Sequence, residues 1–262
     1  MHSNKLSYSV TGAGFPVLLG HSYFFDRTMW APQVAALSAH FTVVAPDLWG
    51  HGASPALPAG SMTLADLAHD HLQLMNELGY QEFALVGLSV GGMWGAELAS
   101  QAPDRVKALV LMDTFTGAEP EAQKQQYFSM LDSAAQLGAI PAPVIDYAAA
   151  QFYSDEVDAA RLEELKTQMR ALTAERLRES IVPLGKMIFG RSDRLAVLKE
   201  IRCPALVITG ENDKPRPVSE GKLMADLLQC RHFTVPGAGH ISTLENPGFV
   251  NRELLAFLRG VL

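Results

Sequence analysis

The ten residues Phe83-Ala84-Leu85-Val86-Gly87-Leu88-Ser89-Val90-Gly91-Gly92 constrain the fold of this chain more than any other stretch. An apolar run as long as a buried strand passes directly into Gly-x-Ser-x-Gly, and Met93 to Ala102 continues with the pattern of a helix. A strand that reverses into a helix within a few residues needs backbone that side chains would obstruct, which Gly87 and Gly91 supply. The turn leaves Ser89 at its apex. A serine hydroxyl is a weak nucleophile until it is held exposed beside a base and near N–H donors, and this turn provides such exposure.

The rest of the chain repeats the strand-then-helix rhythm. Leu6 to Val10 alternates as a strand, and Pro16 to Gly20 is a short apolar strand ending at His21. Trp30 to Ser38 reads as a helix, Phe41 to Pro46 as a buried strand, and Thr63 caps a helix that stops at Gly79. Val106 to Met112 is a further apolar strand. This alternation predicts an α/β fold with a mostly parallel, doubly wound sheet, its crossovers right-handed and both faces covered.

After Asp113 the rhythm breaks. Residues 114–190 hold no convincing strand, whereas Ala122 to Gln136, Pro143 to Phe152, Asp155 to Leu172 and Ala174 to Met187 read as helices. They are expected to form a helical cap inserted after the fourth parallel strand, within a single domain spanning residues 1–262. Alternation then resumes with a helix at Leu195 to Ile201, a strand at Ala205 to Gly210, a helix at Val218 to Leu228, a strand at Arg231 to Val235 and a helix at Phe249 to Leu258.

Length and composition suit that reading. The chain has 262 residues, 48% of them hydrophobic and 19% charged, enough to bury a substantial core. A formal charge of −7 argues against nucleic acid, which needs clustered Lys and Arg. No run approaches the length of a membrane span, and Met1 to Gly20 lacks the basic start, apolar run and cleavage site of a secretory signal. The expected setting is cytoplasmic, with Cys203 and Cys230 as reduced, largely buried thiols.

In an open parallel sheet, ligands gather beyond the carboxyl ends of the strands. His21 and Tyr23, Ser89, Asp113, Asp213 and His240 each follow a predicted strand and so fall on one edge. His240, in the loop Pro236-Gly237-Ala238-Gly239-His240, is the best-placed base for Ser89. His69 and His71 lie two apart on a helix and face different ways, and His2, His40 and His232 lie near element starts at the wrong edge. His51, between Gly50 and Gly52, suits a loop-organising role. Asp213, in Gly210-Glu211-Asn212-Asp213, is the expected partner of His240, with Asp113 as rival. Glu211 reads as a loop carboxylate and Glu245 as a charge favouring the start of the last helix. Two N–H groups, from Tyr23 and from Val90, are the candidate oxyanion donors.

The His21-Ser22-Tyr23 turn, Asp47-Leu48-Trp49-Gly50-His51-Gly52-Ala53-Ser54, the elbow at Gly87 to Gly91, Gly210 to Asp213 and Gly239-His240 together resemble the α/β-hydrolase superfamily. Within it the chain is similar to small esterases and lactonases, the 3-oxoadipate enol-lactonases in particular, which share Met-Trp soon after the oxyanion loop, as in Met29-Trp30, and a helical cap. Haloalkane dehalogenases and epoxide hydrolases of this fold place aspartate where Ser89 stands. The resemblance therefore implies a serine hydrolase acting on a small or medium carboxylic ester or lactone, with no metal or organic cofactor. Ser89, Asp213 and His240 would be catalytic, and Tyr23, Phe24, Phe115 and Phe128 would contact substrate. Carbon–carbon bond hydrolysis, acyl transfer and cofactor-free perhydrolysis use the same residues. A non-catalytic sensor of small molecules is the alternative from another class.

Overall fold

The computed structural model describes residues 5–262. Among these residues seven strands form one sheet: β1 (Tyr8–Thr11), β2 (Pro16–Gly20), β3 (Thr42–Pro46), β4 (Phe83–Leu88), β5 (Val106–Met112), β6 (Ala205–Gly210) and β7 (Arg231–Val235). Their spatial order is β1-β3-β2-β4-β5-β6-β7, and only β1 runs antiparallel to its neighbour. From β2 the chain steps one way to β3 and then returns to place β4 on the other side. The loops after β2 and β4 therefore open a crevice at this reversal.

Period-2 geometry explains why the strands are apolar throughout. In β4, Leu85 faces one core cluster and Ala84 and Val86 the other; in β2, Leu18 faces the first and Val17 and Leu19 the second. Each fully buried leucine stabilises the sheet by about 1.5–3 kcal/mol, so Leu85→Ala is expected to cost about 2–5 kcal/mol. The helix Leu64–Glu77 begins in a capping box, with Thr63 Oγ accepting from the Asp66 N–H and the Asp66 carboxylate accepting from the Thr63 N–H. Among the described residues, no helix is long and apolar enough to cross a membrane.

Between β5 and β6 the described chain contains helices and no strand: Glu121–Leu137, Ala142–Phe152, Ala159–Arg170 and the stretch from Ala174 to Phe189. Two of these depart from the sequence reading. The helix expected from Asp155 starts only at Ala159, because Asp158 turns its carboxylate back to accept from the Ala160 N–H and so caps it. The helix expected from Ala174 to Met187 is interrupted by a wide turn at Leu177–Ile181, where the Val182 N–H reaches Leu177 O, five residues back. Pro183 follows directly; it has no N–H, and its ring crowds the carbonyl of Glu179. The helix expected at Leu195 to Ile201 is present as a 3-10 helix at Leu195–Glu200.

A buried charge cluster ties this cap to the main domain. Glu119, on the way into the cap, accepts from Arg191, on the way out, at 2.8 Å and from Arg216, in the loop after β6, at 2.6 and 2.8 Å. Burial alone would raise the Glu119 carboxyl; Arg216 and Arg191 outweigh it and hold the group below its usual range. Cys203 and Cys230 are free and half-buried, more accessible than expected, and burial pushes both thiols up to about 11.

Candidate active site

Ser89 stands between β4 and the helix Val90–Gln101 with φ of 57° and ψ of −123°, a conformation a side-chain-bearing residue rarely adopts. The neighbouring backbones make it possible. A Cβ on Gly91 would sit 2.1 Å from Gly20 O, and one on Gly87 would sit 2.3 Å from Gly91 O. The Ser89 N–H donates to Met112 O, and Thr114 Oγ1 donates back to Ser89 O at 2.6 Å.

Ser89 Oγ lies 2.9 Å from His240 Nε2, although 151 residues separate them. On the other side of the ring, His240 Nδ1 lies 3.0 and 3.1 Å from the two oxygens of Asp213. An ionised carboxylate only accepts, so Nδ1 carries the hydrogen and Nε2 is free to accept from Ser89. Asp213 Oδ1 also accepts from the Arg216 N–H at 2.9 Å. The structure thus brings Ser89, His240 and Asp213 into one hydrogen-bonded line. Asp113 is not part of it: its carboxylate accepts from the Gly210 N–H at 2.7 Å and the Ser242 hydroxyl at 2.5 Å. Burial, together with the nearby Asp213 carboxylate, pushes the Asp113 carboxyl well above the usual range.

Beside Ser89 runs the loop after β2. Its backbone is held by two neutral histidines and a methionine. His21 Nε2 accepts from the Leu48 N–H at 2.7 Å while Nδ1 donates to Ser22 O. His51 Nε2 accepts from the Phe24 N–H at 3.2 Å while Nδ1 donates to Trp49 O, the loop-organising place expected for it. Met29 Sδ accepts from the Ser22 N–H. Burial lowers His21 to about 4; burial, then the neighbouring His21, lowers His51 to about 3. Phe24 has φ of 67°, and the Tyr23 hydroxyl donates to Ile181 O in the cap. Among the described residues, neither the Tyr23 nor the Val90 N–H has an acceptor. Of the remaining histidines, His71 is buried against Trp94 and His69 is exposed, while His2 lies outside the described residues.

A cavity of about 110 Å³ opens on Ser89 and His240 and is walled chiefly by apolar side chains, among them Tyr23, Phe24, Met93, Leu131, Phe152 and Phe189. Two expected contacts are absent from it. On the helix Glu121–Leu137 the cavity face carries Tyr127, Met130, Leu131 and Ala134, and Phe128, about 100° round from Tyr127, is half-buried outside that lining, packed against the cluster of Leu131, Ala134 and Val182 with Lys124 and Lys186 near its ring. Phe115 folds against Gly117 and the main core. The spacing 127, 130, 131, 134 marks this face in the sequence, whereas aromatic content does not. Glu245 also differs from expectation. The last helix, Pro247–Val261, is capped by Asn246, whereas the Glu245 carboxylate accepts from Ser154 and Gly239.

The family described as alpha/beta hydrolase fold matches residues 16–247. The chain belongs to that family. A thermophilic esterase from Thermogutta terrifontis is 29% identical, with a TM-score of 0.87 over 98% of this chain and 93% of its own. The enol-lactonase from Burkholderia xenovorans LB400 is 27% identical, with a TM-score of 0.85 over 97% of this chain and 96% of its own. A fluoroacetate dehalogenase from a Burkholderia species is 29% identical over 95% of this chain and 88% of its own. Similarity thus extends to members with different named reactions.

Proposed function

We propose that this protein is a serine hydrolase that cleaves a small carboxylic ester or lactone through an acyl-enzyme. The observation that carries the reading is the line from Ser89 Oγ through His240 to Asp213, with spacings of 2.9 and 3.0 Å, at the mouth of an apolar cavity. Ser89 attacks the carbonyl carbon as His240 Nε2 takes its proton, and Asp213 holds the tautomer and stabilises the imidazolium. The N–H groups of Tyr23 and Val90 receive the oxyanion. As the intermediate collapses, Nε2 returns the proton to the departing alcohol. Water, activated by the same nitrogen, then releases the acid and frees Ser89.

Relatives and chemistry narrow the reaction. An esterase and an enol-lactonase among the similar proteins support acyl transfer to water. Dehalogenation by Ser89 would stall: serine oxygen displacing halide from carbon leaves an ether, which water does not open, whereas acyl transfer leaves an ester, which it does. The cavity, about 110 Å³ against roughly 300–1,000 Å³ for sites that take drug-sized ligands, favours short acyl groups.

The test is hydrolysis of esters graded in acyl length and lactones graded in ring size, with wild type and Ser89→Ala in parallel. Wild type is expected to react with a fluorophosphonate probe and to prefer short acyl groups, and Ser89→Ala to lose about 10⁴-fold or more in kcat. Near-wild-type hydrolysis by Ser89→Ala sinks the reading, and a wild type that neither labels nor hydrolyses points to a sensor.

A further inference from the structure

The base-bearing loop is held from both sides of His240, and both holds come from the cap end of the helix Ala142–Phe152. The Ile241 N–H donates to Phe152 O at 3.0 Å. The Gly239 N–H donates to Glu245 Oε2 at 2.7 Å, and Glu245 Oε1 accepts from the Ser154 N–H and hydroxyl at 3.0 and 2.6 Å. The fit leaves no slack: a Cβ on Gly239 would lie 2.4 Å from Ser154 N and 3.0 Å from Glu245 Oε2. Lys214, beside Asp213, donates to Ala150 O and pairs with Asp155. One short piece of cap thus supports the acid and base loops, and its Phe152 both lines the cavity and lies 5.7 Å, ring to ring, from His240.

We propose that Glu245 is a positioning residue that holds His240 against Ser89 by pinning the base-bearing loop to Ser154 of the cap, so that the general base and the acyl-cavity wall share one support. The proposal rests on the serine-hydrolase reading for its consequences in catalysis. Its chemistry asks for a carboxylate. Three donors converge on Glu245 from two sides, and an ionised carboxylate is the side chain that only accepts. Glutamine must turn its NH₂ toward one of the two N–H groups and can satisfy one side only. Aspartate is a methylene too short to span both.

The experiment compares wild type, Glu245→Gln and Ser154→Ala by three readings on the full chain: p-nitrophenyl acetate and hexanoate kinetics, the rate of fluorophosphonate labelling, and the downfield proton resonance of His240 Nδ1–H. Thermal melts confirm that each variant is folded at the assay temperature. Glu245→Gln is expected to lower kcat by about ten- to a hundredfold with little change in KM, to slow labelling by a similar factor, and to weaken or lose the resonance. Ser154→Ala, which keeps the Ser154 N–H, is expected to lose about threefold. A folded Glu245→Gln with wild-type kcat and resonance overturns the clamp, as does one that only melts earlier. If Glu245→Gln does not fold, Ser154→Ala decides, with unchanged kcat and resonance overturning the proposal. Absence of labelling and hydrolysis in wild type would instead overturn the hydrolase reading, and the resonance would still judge the clamp.

Discussion

The rim around Ser89 and the cavity wall above it are built on opposite principles. At the rim, polar groups are buried and nearly every one has a named partner: His21 with Leu48 and Ser22, His51 with Phe24 and Trp49, Asp113 with Gly210 and Ser242, and Asp213 with His240 and Arg216. The wall is mostly apolar side chains from separate helices, placed by packing. Directional bonds fix a reacting geometry to a fraction of an ångström, whereas packing fixes a volume. A rim of this kind tolerates little change, and a wall tolerates repacking at the expense of selectivity.

The largest effect expected from breaking that contrast is at Asp213. Asp213→Asn keeps the shape but offers an NH₂ to His240, so the ring turns to the tautomer whose Nε2 already holds a hydrogen. A fall in kcat of about 10³–10⁴-fold is expected, with KM little changed. A loss under tenfold would mean that Asp113 or another group can orient the histidine, and the rim would be less exacting than argued.

The buried histidines set the next effect, on stability. Burial lowers His21 and His71 to about 4, and burial with the neighbouring His21 lowers His51 to about 3. Unfolded, these rings take up protons near their ordinary 6.5; folded, they stay neutral. The unfolded state therefore binds more protons between pH 6.5 and 4, and stability present above pH 6.5 is lost as pH falls through that window. The loss is expected to reach a few kcal/mol, read as a falling midpoint in urea, and His71→Gln should make the pH slope shallower by about one proton. A flat profile from pH 7 to 4 would show that the rim opens to water more readily than its bonds imply.

How much of this was legible in the sequence follows the same division. Ser89, His240 and Asp213 could be placed on one edge because glycines mark the turns and strand order puts turns at one end. The bracing by His21 and Met29 could not, since their partners are backbone atoms with no residue signature. In the cap, helices were readable from periodicity, but Pro183 and Asp158 altered them locally, one by lacking an N–H and the other by using its side chain as a cap. Glu245 has a sufficient local explanation in the sequence, as a charge near the start of the last helix. Its partners Ser154 and Gly239 are 91 and 6 residues away, and only folding joins them.

Within the cap, the helix Glu121–Leu137 carries its own comparison, between a side chain that lines the cavity and one that packs outside the lining. Leu131→Ala enlarges the cavity and is expected to raise the ratio of hexanoate to acetate hydrolysis about tenfold, since a few methylenes in an apolar pocket are worth about 1–3 kcal/mol. Phe128→Ala removes a larger side chain three residues away that packs, half-buried, against Leu131, Ala134 and Val182 without lining the cavity; it is expected to change that ratio less, by about threefold or under, while costing about 1–3 kcal/mol of stability. A selectivity change at Phe128 as large as that at Leu131 would mean that the wall is set by the packing behind Leu131 as much as by Leu131 itself. Equal insensitivity at both positions would move the acyl group out of this cavity altogether, leaving the rim without the wall assigned to it.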